Sequence, residues 1–171
     1  YDYILSIHIS EKFSGTIKTA HTASNMIEGA KIEVVDSETV TAPLGVIVTE
    51  VAKAAHQGQS MEDLLNLIDQ LKEQINLYFT VDELDYLEKG GRIGKAAAFL
   101  GNLFKIRPLL TVEDGEVSPY KKIRGKRRLY NEFLNLASEL RVDGTNNLII
   151  LHGLYPDKAY TLKEKLTTEY D

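Results

Sequence analysis

The sequence has 171 residues, a formal net charge of −5 and 43% hydrophobic residues, which is sufficient for an ordinary globular core. It contains no cysteine, which excludes disulfides, thiolate metal ligands and a cysteine nucleophile and fits a reducing compartment, so we expect a cytoplasmic protein. No apolar run approaches the ~20 residues that a membrane-spanning helix requires, so no membrane span is expected.

The first half of the chain alternates between strand and helix patterns. Short apolar runs predict buried strands over 3–9 and 31–36. Apolar residues at helical spacing predict helices over 17–27, 44–56 and 61–75. Ser60 followed by Asp63 resembles a capping box at the start of the third helix. This β-α-β-α order with short connections predicts a parallel sheet.

The second half has a different order of elements. Strands are predicted over 77–81, 106–112, 117–123 and 147–152, and helices over 82–87, 96–104, 125–140 and 157–170. The Asp114-Gly115 pair is a strong signal for a hairpin turn between two of these strands. We therefore predict an α/β fold with two lobes: a partial parallel-sheet lobe, 1–79, and a mixed α/β lobe with an antiparallel hairpin, 80–171.

A polar segment, residues 10–16, joins the first predicted strand to the first predicted helix. In parallel α/β sheets, ligands bind at the carboxyl ends of strands, where free N–H groups at a helix start favour an anion. Ser14 and Thr16 add hydroxyl donors, and Gly15 allows close approach to the backbone. The residues fit a carboxylate site, but because Ser-Gly-Thr is a short motif, they favour by themselves a simple helix cap with Ser14 as the cap residue.

Other candidate chemistry is sparse. No histidine pair has metal-ligand spacing, so we predict no metal site. A hydrolase with Ser14 as nucleophile and His152 as base is conceivable, but Ser14 lacks the usual nucleophile-elbow context.

The segment from Lys89 to Arg128 contains eleven basic residues and only three acidic ones. This basic segment is typical of a solvated face or of docking to an acidic partner. The acidic chain as a whole argues against nucleic acid.

Several of these segments, taken in order, resemble one protein family. The segment from Ile9 to Thr16 resembles the Ile-Ser-Ser-x-Leu-Ser-Gly-Thr loop of the DegV family, with Glu11 in place of a usual serine. The segment from Tyr86 to Ile93 matches the family's Tyr-Leu-x-Lys-Gly-Gly-Arg-Ile box. Further family motifs follow at Val34-Val35-Asp36-Ser37, Leu100-Gly101, Ile106-x-Pro108-Leu109-Leu110, Asp114-Gly115 and Arg124-Gly125.

The resemblance implies a carrier that performs no chemistry itself and has no cofactor. Two lobes would enclose one long-chain fatty acid, such as palmitate or stearate, with its carboxylate at Ser14, Gly15 and Thr16. The carrier would present this carboxylate to a separate fatty acid kinase for phospholipid synthesis. Arg92, Arg124 and Lys126 are the candidates for docking the kinase. Ala96, Ala97, Phe99, Leu100, Leu103 and Phe104 are candidates for lining the acyl tunnel or for ordinary core packing.

Two alternatives to the carrier stay open. One is a Ser14-dependent acyl hydrolase or transferase, and the other is a regulatory module acting through the basic segment. The resemblance also implies further carboxylate contacts, from a Thr-Ser segment that would precede Tyr1 and from a Gly-x-His segment that would follow the last helix. Because neither is found in this sequence, we expect it to be a fragment of a longer protein.

Overall fold

The structure is a computed structural model that describes residues 3–100, 106–140 and 147–170. The described residues form two sheets, one parallel and one antiparallel, with helices packed against them. The strands are β1 (Tyr3–His8), β2 (Lys31–Asp36), β3 (Tyr78–Thr80), β4 (Ile106–Glu113) and β5 (Glu116–Arg124). The α-helices are α1 (Thr16–Ser24), α2 (Thr41–His56), α3 (Met61–Gln74), α4 (Asp85–Lys89), α5 (Lys126–Glu139) and α6 (Pro156–Tyr170), and a 3₁₀ helix spans Gly94–Phe99.

The first lobe is built on the parallel pair β1–β2. Its register places His8 beside Asp36, so both strands end at the same edge. The apolar stripes of α2 and α3 form the core with the sheet, because apolar residues at helical spacing share one face of each helix. The buried members of this core are Ile47, Val51, Ala54, Leu64 and Ile68, and Leu5, Ile7 and Val35 of the strands pack against them.

The start of α3 is fixed by a complete capping box, as its sequence predicts. The Ser60 hydroxyl accepts a hydrogen bond from the Asp63 N–H at 3.2 Å, and the Asp63 carboxylate accepts one from the Ser60 N–H at 3.2 Å. Two backbone donors that have no partner within the helix are thereby satisfied. The capping prediction is confirmed.

The second lobe contains the antiparallel order β3–β4–β5. The hairpin joining β4 to β5 turns at Asp114 and Gly115, whose φ angles of 51° and 75° are those of a type I′ turn. One face of this sheet carries a cluster of Leu84, Ala96, Leu110 and Val117, and a second cluster joins Leu109, Ile123 and Leu136. The α/β class, with a parallel pair followed by an antiparallel hairpin, is confirmed. The lobe boundary near Thr80 remains a prediction, since β3 straddles it and pairs with β4.

Three elements differ from the sequence predictions. No strand forms over 147–152, because these residues have no ladder partner in the described chain, and Leu148 and Leu151 are more than half exposed. In place of the predicted 96–104 helix, a 3₁₀ helix spans Gly94–Phe99, and the last four predicted residues, 101–104, lie outside the described residues.

The helix predicted from Asp82 begins instead at Asp85. The Asp82 carboxylate accepts hydrogen bonds from Tyr155 and Arg107 rather than capping the helix. The pKa of Asp82 is lowered, chiefly by the hydrogen bond from the Tyr155 hydroxyl. This contact attaches the segment before α6 to the chain that follows β3.

Across the described ranges, none of the helices combines the length and apolar character that crossing a bilayer demands.

Candidate functional site

The candidate site is the loop that leaves β1 and enters α1. The Ser14 Oγ and Thr16 Oγ1 atoms lie 2.7 Å apart, and the Ser14 hydroxyl also accepts a hydrogen bond from the Thr16 N–H at 3.3 Å. Gly15 is the N-cap residue of α1 and provides no side-chain cap. A Cβ built on Gly15 meets nothing within 4 Å, so the backbone here is open to an incoming group. The structure therefore brings the three predicted site residues together at one exposed corner.

The chemistry of this corner suits reversible binding of an anion. The hydroxyls are neutral donors, and the first N–H groups of α1 have no partner four residues earlier in the chain. Such a helix start carries partial positive charge and binds carboxylates or phosphates without a full cation. Thr16 is exposed and Ser14 is half-buried, so a ligand can reach both from solvent.

The loop is fastened to the edge of the first sheet by Asp36. One carboxylate oxygen of Asp36 accepts from the Glu11 N–H at 3.1 Å, and the other accepts from the Glu38 N–H at 2.8 Å. The Ser37 N–H donates to the His8 carbonyl at 3.0 Å. The Val-Val-Asp-Ser segment thus ties the two strand ends together.

A second set of contacts fastens the loop to the other lobe. The Phe13 side chain packs against the cluster of Leu84, Ala96, Leu110 and Val117. The Phe13 carbonyl accepts a hydrogen bond from Arg92 Nε at 2.9 Å, and Arg92 also donates to the Gly90 carbonyl. Sequence reasoning missed this junction. The signal that could have revealed it is Phe13 itself, the one aromatic residue in an otherwise polar loop.

The three docking candidates occupy different environments. Arg92 lies beside the candidate loop, with the hydrogen bonds just described. Arg124, the last residue of β5, and Lys126, the first residue of α5, are both exposed. Their docking role remains a prediction.

Much of the basic segment is engaged within the molecule. Lys95 pairs with Asp114 at 2.8 Å, Lys121 pairs with Glu132 at 2.6 Å, and Arg107 pairs with Asp82. The Lys95–Asp114 hydrogen bond raises the pKa of Lys95 and lowers that of Asp114. Lys105 lies outside the described residues. The exposed basic residues grouped around the start of α5 are Arg124, Lys126, Arg127 and Arg128.

The hydrolase arrangement is not assembled in the described chain. The hydrogen-bond partners of the Ser14 hydroxyl are the hydroxyl and N–H of Thr16. His8 lies 2.8 Å from the Ser6 hydroxyl through its Nε2 atom, and His152 is exposed in the irregular segment before α6. Within the described residues, no three acidic or histidine side chains cluster in a way that would hold a metal ion.

The predicted tunnel residues are distributed between core and surface. Ala96 is fully buried in the second-lobe core, Phe99 and Leu100 pack against the same cluster, and Ala97 is exposed. Leu103 and Phe104 lie outside the described residues. A cleft of about 120 Å³ lies between the lobes, below the range of ~300–1,000 Å³ that ligand pockets usually span. Its lining includes Ser37, Thr39, Lys72, Val112 and Gly115, but not Ser14.

The fold and this site define a class: a two-lobed α/β protein whose hydroxyl-bearing loop, at the end of a parallel strand, touches an antiparallel second lobe. The chain belongs to the DegV family, whose sequence model matches residues 1–171. The predicted family is thereby confirmed.

Individual relatives agree with this assignment. A DegV domain-containing protein from Clostridium acetobutylicum is 37% identical over 174 residues, which cover 99% of this chain and 61% of the relative. The crystal structure of DegV from Bacillus subtilis, described as a fatty acid binding protein, is 30% identical with a TM-score of 0.84 and covers 99% of this chain and 61% of that one. A fatty acid binding DegV family protein from Streptococcus agalactiae is 26% identical with a TM-score of 0.89, covering 99% and 60%. The chain spans about three-fifths of the length of the curated relatives it matches.

Proposed function

We propose that this protein binds a long-chain fatty acid, such as palmitate or stearate, with its carboxylate at Ser14, Gly15 and Thr16. The observation that carries the proposal is the pair of hydroxyls 2.7 Å apart at the open start of α1. Support comes from the two solved relatives described above as fatty acid binding. The lobes would enclose the acyl chain between them.

The physics of the proposed ligand fits a reversible carrier. Each CH₂ group removed from water contributes about 0.8 kcal/mol, so burial of the tail supplies most of the affinity. The carboxylate needs only hydrogen bonds from neutral donors, each worth about 1.5–3 kcal/mol when the acceptor is charged. A head group held without a lysine or arginine ion pair remains available for transfer.

The carrier would present this carboxylate to a separate fatty acid kinase for phospholipid synthesis, with Arg92, Arg124 and Lys126 in the docking surface. One physical feature supports the placement of that surface. The first turn of α5 has three basic residues, 126–128, and no acidic one, although cations at a helix N-terminus are unfavourable for the helix. Because these three positive charges do not stabilise α5, their presence at its first turn fits a role in binding an acidic partner.

Binding is tested by titrating the full-length protein with palmitate and stearate. Ser14→Ala is expected to weaken binding about tenfold or more, because a charged acceptor loses a hydrogen bond. Ser24→Ala, near the other end of α1, is the matched control and should bind as the unaltered protein does. Equal affinity of Ser14→Ala and the unaltered protein would place the carboxylate elsewhere.

The transfer step is tested by supplying the loaded protein to a fatty acid kinase. Arg124→Ala and Lys126→Ala are expected to slow formation of acyl phosphate while leaving fatty acid affinity unchanged. Lys163→Ala on α6 serves as an exposed control of the same charge change. Unchanged rates for both variants would remove these residues from the docking surface.

A further inference from the structure

Ser10 occupies an unusual position for a loop residue, since it is only 1% exposed. It follows β1 and precedes the candidate loop. Its N–H donates to the Thr39 carbonyl at 3.0 Å, and its carbonyl accepts from the N–H groups of Phe13 and Ser14 at 3.0 and 3.1 Å. The backbone hydrogen bonds of Ser10 therefore fix the position of the Ser14 backbone.

The side chain of Ser10 makes a separate connection to the other lobe. Its hydroxyl donates to the Gly115 carbonyl at 2.6 Å and accepts from the Lys12 N–H at 3.2 Å. Gly115 is buried at the hairpin turn between β4 and β5. A Cβ at Gly115 would lie 2.6 Å from the Ser10 Oγ atom, so the turn and the serine fit together only because residue 115 is glycine.

We infer that the Ser10 hydroxyl is a positioning group for the carboxylate loop. By joining the loop to the Gly115 turn, it fixes the Ser14 and Thr16 hydroxyls relative to the second lobe, and hence relative to a ligand lying between the lobes. The inference rests on the proposed function, because it concerns the position of the Ser14 and Thr16 hydroxyls that would bind the carboxylate. Ser10 acts through the loop and does not touch the ligand.

The geometry explains why one buried hydroxyl has this effect. Ser10 is four residues from Ser14, and the intervening chain is held at both ends by the Ser10 backbone bonds. Removing the hydroxyl leaves the buried Gly115 carbonyl without this donor, and the turn and the loop then relax away from each other. Hydrogen bonds weaken steeply once distance and angle leave a narrow range, so a small displacement of Ser14 reduces carboxylate binding.

The test separates the head group of the ligand from its tail. Palmitate and methyl palmitate share an acyl chain, but only palmitate has a carboxylate. In the full-length protein, Ser10→Ala is expected to lower affinity for palmitate about tenfold while changing affinity for methyl palmitate less than twofold. A purely structural loss of stability would lower both affinities together. Ser118→Ala is the matched control, because Ser118 is another fully buried serine, and its hydroxyl has no hydrogen-bond partner among the described residues.

The outcomes distinguish the two ideas. If the unaltered protein binds palmitate no better than its methyl ester, the proposed function fails and this inference with it. If Ser14→Ala loses the preference for palmitate but Ser10→Ala keeps it, the positioning role is wrong and the proposed function stands. Should Ser10→Ala fail to fold, Ser10→Cys retains a weak donor of similar size and is expected to show a partial loss of the preference. An unchanged preference in a folded Ser10→Cys would overturn the inference.

Discussion

At the scale of single residues, Gly94 shows how closely the second lobe is packed. It begins the 3₁₀ helix with a φ of +52°, and a Cβ at this position would lie 2.5 Å from the Val117 carbonyl oxygen. Both the backbone conformation and the space therefore require glycine. The 3₁₀ helix depends on this approach to reach β5, and Ala96 enters the core two residues later.

Gly94→Ala is expected to destabilise the protein by about 3 kcal/mol, combining left-handed strain of roughly 1–2 kcal/mol with displacement of β5. Urea unfolding measures the loss. The control is Gly58→Ala after α2, where φ is +84° but nothing lies within 4 Å of the added Cβ. That variant should show the strain alone. Equal losses in the two variants would mean that the contact with Val117 contributes nothing.

At the scale of elements, the sequence predicted correctly those features that depend on a few adjacent residues, such as a helix cap or a tight turn. The Ser60–Asp63 capping box and the Asp114-Gly115 turn both formed as predicted, because side-chain caps and positive-φ turns depend on a few adjacent residues. The predicted strand over 147–152 did not form, since an apolar, β-prone segment becomes a strand only beside another strand. Periodicity reports what a segment can bury, not whether a partner is present.

Ser60→Ala is expected to lower the free energy of unfolding by about 1 kcal/mol at neutral pH, because a helix loses its cap. The effect should depend on pH. The Ser60 hydroxyl, and then the Ser60 N–H, lower the pKa of Asp63 below its ordinary value of 3.8. A carboxylate with a depressed pKa stabilises the fold above that ordinary value, and this stabilisation is lost as pH falls through the lowered pKa.

Thermal melts of both proteins from pH 7 down to pH 2.5 check this expectation. The difference between unaltered protein and Ser60→Ala should be largest near neutrality and shrink below about pH 3.8. Ser24→Ala provides the control, because its hydroxyl donates to the His21 carbonyl and involves no carboxylate. A Ser60→Ala difference that stays constant to pH 2.5 would contradict the role of Asp63.

At the scale of the whole molecule, the candidate site lies where the two lobes meet. Sequence reasoning placed Ser14, Gly15 and Thr16 at a helix start because strand, loop and helix are contiguous there. It did not find Ser10–Gly115, Phe13 in the second-lobe core or Arg92 on the Phe13 carbonyl. The two hydrogen bonds among these contacts join residues 105 and 79 positions apart, and no local periodicity encodes such distances. The fold class could be predicted from pattern, whereas the support of the site could not.

This arrangement makes Phe13 the main apolar connection from the candidate loop to the second lobe, and Phe13→Ala tests how strongly the lobes depend on each other. Phe13 is half-buried, so its truncation should cost about 2–3 kcal/mol, less than for a fully buried phenylalanine. More specifically, the lobes should cease to unfold together, because the cluster around Leu110 no longer gains stability from the loop.

Seven of the nine tyrosines lie at or beyond Tyr78, so tyrosine fluorescence reports mainly on the second lobe, while far-UV circular dichroism reports on both. In the unaltered protein, urea transitions followed by the two probes are expected to coincide, which is the test of cooperative unfolding. In Phe13→Ala they should separate. Phe133→Ala, which removes a phenylalanine packed inside the second lobe, should lower stability without separating the probes from one another. Coincident transitions in Phe13→Ala would show that the polar contacts, Ser10 with Gly115 and Arg92 with the Phe13 carbonyl, are sufficient to couple the lobes.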